Sequence, residues 1–432
     1  MNDFLDELYQ NIDEYEPVKI SEMKLASLVY ADDILLLSET QAGIIKQIKS
    51  FHNFCLNNSL KINYSKTKIM VFNETQKYHE LIIKDDKMSP IEVVNEYKYL
   101  GIWIAKNDRK QIEELAKKGK SSSYLTAKTL KEFKTVDGTI LTETFEILTL
   151  SKMRYGCELY FDKNLADLNR IIMQFFKRFH HLRISTPNYC IIGEFGIKPM
   201  EFHCYKAAIN YFLKLNEKDD KRLINRMYRI ISDNLDAATF RNTWCDRINK
   251  LFNKIQLHEM RNLNSNGKSK RLINNALTEY FRAKWINNAK TSNKGMKYLE
   301  LCRFQCELKS YLTEAGDQIK INAILKLRTG NHTLAAEIGT YQNRDTYEDY
   351  ACKFCDQSEI EDIYHFIVGC PRYKNERNTF IPYLKDGTRS DFYEFMNTLT
   401  MRHTRSLGDY IHKAMETRNY IMKCSHSISM TS

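Results

Sequence analysis

The chain has 432 residues, and 65 Lys and Arg against 54 Asp and Glu give a formal net charge of +11. Hydrophobic residues make up 43% and aromatic residues 12%, which excludes a mainly disordered chain. The 15 glycines and 6 prolines are too few for an all-β or collagen-like protein, so the composition predicts mostly helix. No apolar run reaches the roughly 18 residues of a membrane span. The basic excess favours a nucleic-acid partner.

The first hundred residues mix helical and strand patterns. Residues 4–15 predict the end of a helix followed by a turn, and residues 40–56 have the three- and four-residue apolar spacing of a second helix. Strands are predicted over residues 68–73 and 81–83, and a second strand pair is predicted from residues 91–94 and 97–104.

Two adjacent carboxylates, Asp32 and Asp33, separate the apolar stretches 25–29 and 34–37. In a continuous strand their side chains would point to opposite faces, and one would enter the core. A hairpin turn is therefore expected, where Asp32 can present its oxygens to a divalent metal such as Mg²⁺. The alternative is an Asp-containing turn that binds no metal, which the Asp-Asp pair taken alone favours.

Beyond residue 108 the pattern is helical. Residues 165–179 predict a strongly amphipathic helix whose polar side chains serve either as a phosphate-tracking stripe or as an ordinary solvated face: Arg170, Gln174, Lys177 and His181. Residues 262–270 are polar and basic and predict a flexible linker. A further helix is predicted over residues 319–328, ended by Gly330.

The last hundred residues contain the spacing Cys-x2-Cys-x9-His-x4-Cys, formed by Cys352, Cys355, His365 and Cys370. Three thiolates and one imidazole can complete a tetrahedral zinc site. A closed site of this kind has no open coordination position, so it is structural or nucleic-acid-binding and not catalytic. The alternative is a chance grouping of cysteines.

Residues 28–36, Leu-Val-Tyr-Ala-Asp-Asp-Ile-Leu-Leu, resemble the catalytic box of reverse transcriptases, and specifically of non-LTR (LINE-type) retrotransposons. Later segments resemble the same family in the same order. These are the Asn-x-x-Lys-Thr element within residues 60–72 and the segments 97–101, 154–160, 185–187, 193–199 and 327–332, the last of which precedes a Cys-Cys-His-Cys knuckle.

The resemblance implies that Asp32 binds catalytic Mg²⁺, with Asp33 as a weaker ligand, and that Tyr30 and Ala31 lie beside the primer terminus. It implies that Lys66 is a general acid for the leaving pyrophosphate. The primer strand would be positioned by Tyr99, Leu100 and Gly101. The alternative for Lys66 is a surface lysine on a strand edge. The alternative for Tyr99, Leu100 and Gly101 is packing at a hairpin. The implied partners are an RNA template and a DNA primer or target, and the implied metals are Mg²⁺ and structural Zn²⁺.

The fold expected from this resemblance is α+β and mostly helical. It comprises a partial reverse-transcriptase palm over residues 1–106 and a thumb over residues 107–215. A helical connector follows over residues 216–330, with its linker near 262–270, and a zinc-knuckle domain over residues 331–432.

The family places its first catalytic Asp on a strand well before the hairpin. Asp3, Asp6 and Asp13 instead lie on or just after a predicted helix. We therefore expect this carboxylate and the fingers to be absent, as in the C-terminal part of a longer polymerase that is inactive alone. The alternatives are a non-catalytic, zinc-dependent RNA- or DNA-binding protein and a retroelement relic.

Overall fold

The computed structural model describes residues 2–73, 80–81, 90–105, 109–133, 135–217, 222–234, 241–258, 263, 265–313, 317–342, 346–384 and 388–429. The chain forms two compact units. The first comprises Met1–Glu113 and Tyr211–Lys254, and the second comprises Glu114–Asn210 and Ile255–Ser432. Most described residues are helical and the sheets are small, which confirms the predicted α+β class. Within these ranges, no helix is both long and apolar enough to cross a membrane.

The strands pair as antiparallel two-stranded sheets, β1 with β2, β3 with β4, β5 with β6 and β7 with β8. Their bounds are Val18–Ile20 (β1), Met23–Leu25 (β2), Ser27–Tyr30 (β3), Asp33–Leu36 (β4), Glu80–Leu81 (β5), Ile91–Glu92 (β6), Glu96–Tyr99 (β7) and Ile102–Ala105 (β8).

The helices run in chain order from α1 to α18. Their bounds are Asn2–Gln10 (α1), Gln41–Asn57 (α2), Lys110–Lys131 (α3), Gly138–Phe145 (α4), Ser151–Met153 (α5), Ala166–Phe179 (α6), Asn188–Phe195 (α7), Met200–Asn216 (α8), Leu223–Asp233 (α9), Trp244–Lys254 (α10), Gly267–Ala289 (α11), Asn293–Leu301 (α12), Ser310–Thr313 (α13), Gln318–Arg328 (α14), Ala335–Tyr341 (α15), Lys374–Phe380 (α16), Arg389–Asn397 (α17) and Met401–Ser429 (α18). Single π-helical turns lie at Glu146–Leu150 and His365–Gly369.

Helix α2 packs against α1 in the core of the first unit. Its N-terminus is capped by the Thr40 side chain, which accepts a hydrogen bond from the Gly43 N–H at 3.0 Å. The rings of Phe51 and Phe54 pack on buried Phe4 of α1, with centroids 4.9 and 5.5 Å apart. Helix α2 also contacts β4, whose Leu36 packs against the same core.

Helix α6 forms the centre of the second unit, and its phenylalanines carry the packing. Phe175 packs against Phe145 of α4 with ring centroids 4.4 Å apart, and Phe176 contacts Phe195 of α7 at 4.9 Å. Lys177 is not part of a solvated or phosphate-tracking face. It is buried, and its Nζ donates to the Ile184 carbonyl oxygen at 3.0 Å and to Asn188 Oδ1 at 2.8 Å.

The structure confirms the helices predicted over residues 40–56 and 319–328 as α2 and α14, and the strand pair around Asp32 as β3–β4. The predicted pairing of residues 91–94 with 97–104 is wrong, because β6 pairs with β5 and the second stretch folds on itself as β7–β8. The strand predicted over residues 68–73 is wrong, because only a single bridge between Ile69 and Val93 forms there. Residues 82 and 83 of another predicted strand lie outside the described residues.

The predicted linker near 262–270 is helical from Gly267 onward, so this part of the prediction is wrong. The Asn266 side chain accepts a hydrogen bond from the Ser269 N–H at 2.9 Å and thereby caps α11. The polar composition that suggested a linker is therefore that of a helix start. Residues 262 and 264 lie outside the described residues.

Candidate nucleic-acid interface and metal centre

The β3–β4 hairpin carries both adjacent carboxylates at its exposed end. Tyr30 pairs with Asp33 across the hairpin, so Ala31 and Asp32 form a two-residue turn. Ala31 has a φ of +51°, an unfavourable value for a residue with a Cβ, although turns of this length require a left-handed residue. The Tyr30 side chain is 66% exposed, and Asp32 and Asp33 are also exposed. The structure thus places Asp32 in the predicted turn, free to meet a ligand.

Lys66 lies in a turn that Asn63 holds together. Asn63 Oδ1 accepts the Lys66 N–H at 3.2 Å and the Ser65 hydroxyl at 2.7 Å, while its carbonyl oxygen accepts the Thr67 N–H at 3.0 Å. The Tyr97 hydroxyl donates to the Lys66 carbonyl oxygen at 3.0 Å. The Asn-x-x-Lys-Thr spacing is therefore explained by turn geometry, and the Lys66 side chain is left exposed.

The β7–β8 hairpin turns through Leu100 and Gly101, and both residues have positive φ, +47° and +83°. This is the backbone of a type I′ hairpin, in which Gly is favoured. Burial raises the pKa of the preceding Tyr99, and the negative charge of Asp33 raises it further. Tyr99 of β7 therefore lies within the electrostatic reach of Asp33 of β4.

In the described part of the chain, no third carboxylate joins the two of the β3–β4 hairpin. In the part of the chain that the structure describes, one group of three or more His, Cys, Asp or Glu side chains is arranged to hold a metal ion, and it does not include Asp32 or Asp33. Asp3 and Asp6 lie on α1, and Asp13 forms an ion pair with Lys24. The roles implied for Tyr30, Ala31, Asp32, Asp33, Lys66, Tyr99, Leu100 and Gly101 remain predictions.

The group that can hold a metal ion is the predicted one, Cys352, Cys355, His365 and Cys370. Their ligand atoms all lie within 4.8 Å of one another. Cys352 Sγ is 4.0 Å from Cys370 Sγ, and Cys355 Sγ is 3.5 Å from His365 Nε2. Tetrahedral zinc with ordinary bond lengths places two sulfurs about 3.7 Å apart and a sulfur and a nitrogen about 3.5 Å apart. The donor set and its spacing therefore fit zinc.

The local backbone explains how the four ligands converge. A bridge between Ala351 and Ile360 closes the Cys352–Cys355 loop. His365 begins a π-helical turn, and its N–H is capped by Asp362 Oδ1 at 2.8 Å. The Cys370 N–H donates back to the His365 carbonyl oxygen at 2.6 Å, which turns the last ligand toward the first three.

Glu359 orients the imidazole. Its Oε2 lies 2.9 Å from His365 Nδ1, so Nδ1 carries the proton and Nε2 faces the thiols. Burial lowers the pKa of His365, but hydrogen bonds to Cys352 and Glu359 outweigh burial and raise it overall. The hydrogen bond with Cys370 lowers the pKa of the Cys352 thiol, while the same bond and burial raise that of Cys370. Of these two thiols, Cys352 therefore loses its proton first.

An ion pair ties the four-ligand cluster to α18. Arg418 forms a two-pronged ion pair with buried Glu361, with Nε–Oε1 and Nη2–Oε2 distances of 2.8 and 2.9 Å. The Arg418 guanidinium also lies 4.8 Å from the ring centroid of Phe354, between the first two cysteines. Glu361 Oε2 additionally accepts the Ala335 N–H at 2.7 Å. The cluster is therefore built into the packing of the second unit.

Two of the family-like segments meet in the core of the second unit. Glu194, within segment 193–199, accepts hydrogen bonds from Arg328 Nε at 3.0 and 2.9 Å. Tyr311 donates to the same carboxylate at 2.7 Å and Tyr298 at 3.0 Å. The Arg328 side chain, from segment 327–332, is fully buried, as is that of Glu194. Segments that resemble the family thus serve at least a structural purpose here.

Residues 1–104 match the family model of the reverse transcriptase (RNA-dependent DNA polymerase). This stretch contains the β3–β4 hairpin, the Lys66 turn and the β7–β8 hairpin, so the reverse-transcriptase resemblance of these three features is confirmed at the level of the family. Comparison of the chain with curated proteins and with solved structures gave no match.

Several partners of the site residues were not predicted from the sequence. Glu359, Glu361 and Arg418 support the cysteine cluster, and Glu194 supports Arg328. Glu359 lies six residues before His365 and could have been suspected, because histidine ligands commonly donate their second N–H to a carboxylate. Arg418 lies 57 residues beyond Glu361, and nothing in the local sequence indicates that pairing.

Proposed function

We propose that the chain is part of an RNA-directed DNA polymerase of the non-LTR (LINE) retrotransposon type. In this proposal it keeps part of the palm, the thumb, a helical connector and a zinc knuckle. Its nucleic-acid partners are an RNA template and a DNA primer or target. The observation that carries the proposal is the exposed Asp32–Asp33 hairpin, within the segment that matches the reverse transcriptase family.

The proposed chemistry assigns a role to each hairpin. Asp32 offers carboxylate oxygens to Mg²⁺, which in a complete polymerase site would help to organise phosphoryl transfer. The negative charge of Asp33 raises the pKa of Tyr99, so the two residues lie near each other. This proximity supports a primer-positioning role for the β7–β8 turn. Lys66 would supply a proton to the leaving pyrophosphate.

We further propose that this 432-residue chain does not extend a primer by itself. Among the described residues no third carboxylate joins Asp32 and Asp33, and two-metal phosphoryl transfer needs ligands for both ions. Primer extension on an RNA template with Mg²⁺ tests this. We expect no extension by the wild-type chain. Extension that is abolished by Asp32→Ala but kept by Asp356→Ala, a change at an exposed aspartate near the cysteine cluster, would overturn the proposed inactivity.

For the cysteine cluster we propose structural zinc. Cys352, Cys355, His365 and Cys370 would hold the ion, which would supply folding energy to the surrounding segment when bound. Metal analysis of the purified protein is expected to find one zinc per chain, and Cys355→Ser is expected to lower this content. Cys306→Ser, at a half-buried thiol outside the cluster, is the matched control.

The second candidate function is non-catalytic binding of RNA or DNA, and the four-ligand cluster favours it because the cluster is complete in this chain. Binding of oligonucleotides is expected to weaken steeply with salt, since neutralised phosphates release counterions. Cys355→Ser should weaken binding, whereas Cys306→Ser should not. Absence of both zinc and oligonucleotide binding would leave only the relic interpretation.

A further inference from the structure

A cavity of about 300 Å³ opens in the second unit where three separated parts of the chain meet. Its walls come from the loop before α7, from the start of α12 and from the segment that follows α14. Its lining includes Arg183, Ser185, Lys294, Gly330 and Asn331. No site described above uses this cavity.

The walls of the cavity are fixed by hydrogen bonds. Asn331 Oδ1 accepts the Arg183 N–H at 2.8 Å and the Thr186 hydroxyl at 3.0 Å. The buried ammonium of Lys177 holds the same loop by its donation to the Ile184 carbonyl oxygen at 3.0 Å. These hydrogen bonds fix the backbone of this wall in the absence of a ligand. Arg183 therefore lies on a loop of fixed conformation.

The charges around the cavity leave one cation uncompensated. Lys294 forms an ion pair with Glu337, which neutralises both. The exposed Arg183 guanidinium has no ion-pair or hydrogen-bond partner in the part of the chain that the structure describes, and neither does the Ser185 hydroxyl. A guanidinium with a neighbouring hydroxyl is a donor set suited to phosphate oxygens.

Gly330 keeps one wall open. It has a φ of +70°, and a Cβ at this position would lie 2.7 Å from Lys294 Nζ and 2.9 Å from both Glu337 carboxylate oxygens. A side chain here would push the Lys294–Glu337 pair and strain the backbone. The absence of a side chain is thus required by the geometry of the cavity.

We propose that this cavity binds one phosphate group of a nucleic-acid strand, with Arg183 as the charged donor and Ser185 as a neutral donor. The inference rests on the proposed nucleic-acid binding of the chain. It goes further by assigning a particular backbone contact to the second unit, outside the segment that matches the reverse transcriptase family.

The test measures the affinity for a single-stranded oligonucleotide at several salt concentrations. Arg183→Gln should weaken binding several-fold and reduce the slope of log K against log salt by about 1. Arg183→Lys should restore part of the slope. Arg178→Gln, at an exposed arginine in the last turn of α6 that does not line the cavity, should leave the slope unchanged. An equal slope for wild type and Arg183→Gln would overturn the proposal.

Gly330→Ala changes the opposite wall of the cavity and is expected to weaken oligonucleotide binding without removing a charge.

Inorganic phosphate should compete with the oligonucleotide for the wild-type protein but not for Arg183→Gln. Phosphate that stabilises the wild type without displacing the strand would overturn the strand assignment in favour of a free phosphate ligand. Wild-type binding with an unchanged Arg183→Gln slope defeats only the cavity proposal, whereas no wild-type binding defeats the proposed function.

Discussion

Glu194 and Arg328 are 134 residues apart in the chain, yet they form an ion pair in which both carboxylate oxygens share the Arg328 Nε–H, and both side chains are completely buried. Burial alone would raise the pKa of Glu194, but the charge and hydrogen bonds of Arg328 outweigh it and lower the pKa overall. The carboxylate is therefore ionised in the folded protein. Each member of the pair depends on the other for compensation.

Removing one member of this pair should strongly destabilise the second unit. Arg328→Leu leaves the Glu194 charge buried and unpaired, which costs about 3–5 kcal/mol. Trp285 is buried in the second unit and reports on its unfolding. Urea unfolding followed by Trp285 fluorescence, with Trp103 and Trp244 changed to Phe, measures the effect.

The matched control for that change is Arg303→Leu. Arg303 forms an exposed ion pair with Glu394, and such pairs contribute at most about 1 kcal/mol. A similar loss for both variants would show that desolvation of the Glu194–Arg328 pair does not govern the stability of this unit.

The same pair predicts a dependence of stability on pH. Because the folded-state pKa of Glu194 lies below its unfolded value, its contribution is fully present above the unfolded pKa and is lost as the pH falls through the folded one. The stability difference between wild type and Glu194→Gln should therefore shrink as the pH falls below about 4. Urea midpoints at a series of pH values measure this difference, and a constant difference would contradict the prediction.

Glu359→Gln should weaken metal binding without removing a ligand. The carboxylate fixes the ring orientation and tautomer of His365, and loss of such a partner typically lowers metal affinity about 10–100-fold. Competition with a chelator measures the affinity. Asp356→Asn, at an exposed position of the Cys352–His365 segment, serves as the control and should retain wild-type affinity.

Asn63→Ala should loosen the turn that carries Lys66. The change removes the Oδ1 acceptor of the Lys66 N–H and of the Ser65 hydroxyl, worth about 1 kcal/mol for each bond. Hydrogen exchange of the Lys66 amide should become faster, while that of the Leu60 amide, which donates to the Cys55 carbonyl oxygen, should not change. Unchanged exchange at Lys66 would mean that the second bond of its N–H, to the Asn63 carbonyl oxygen at 3.1 Å, protects the amide without the side chain.

Local patterns in the sequence were sufficient to predict the parts of the fold that depend on neighbouring residues. The apolar spacing of α2, the hairpin around Asp32 and the four metal ligands all follow from periodicity or spacing within about twenty residues. The burial of Lys177 could not be predicted in this way, because its partners are Ile184, in the loop before α7, and Asn188, at the first residue of α7, and tertiary packing sets the path of this segment. The start of α11 was predicted as a linker because asparagine is common both in linkers and at the N-cap of a helix, where Asn266 lies.

The pairing of Glu361 with Arg418 also sets an order of assembly during synthesis. The four metal ligands have all been translated by residue 370, but the buried Glu361 carboxylate has no compensating charge until residue 418 is made. At ordinary elongation rates this interval is roughly 2–10 s. The nascent cluster is therefore expected to pass through a stage in which its four ligands are present and Arg418 is not, so metal delivered late in translation would meet a better-formed site than metal delivered early.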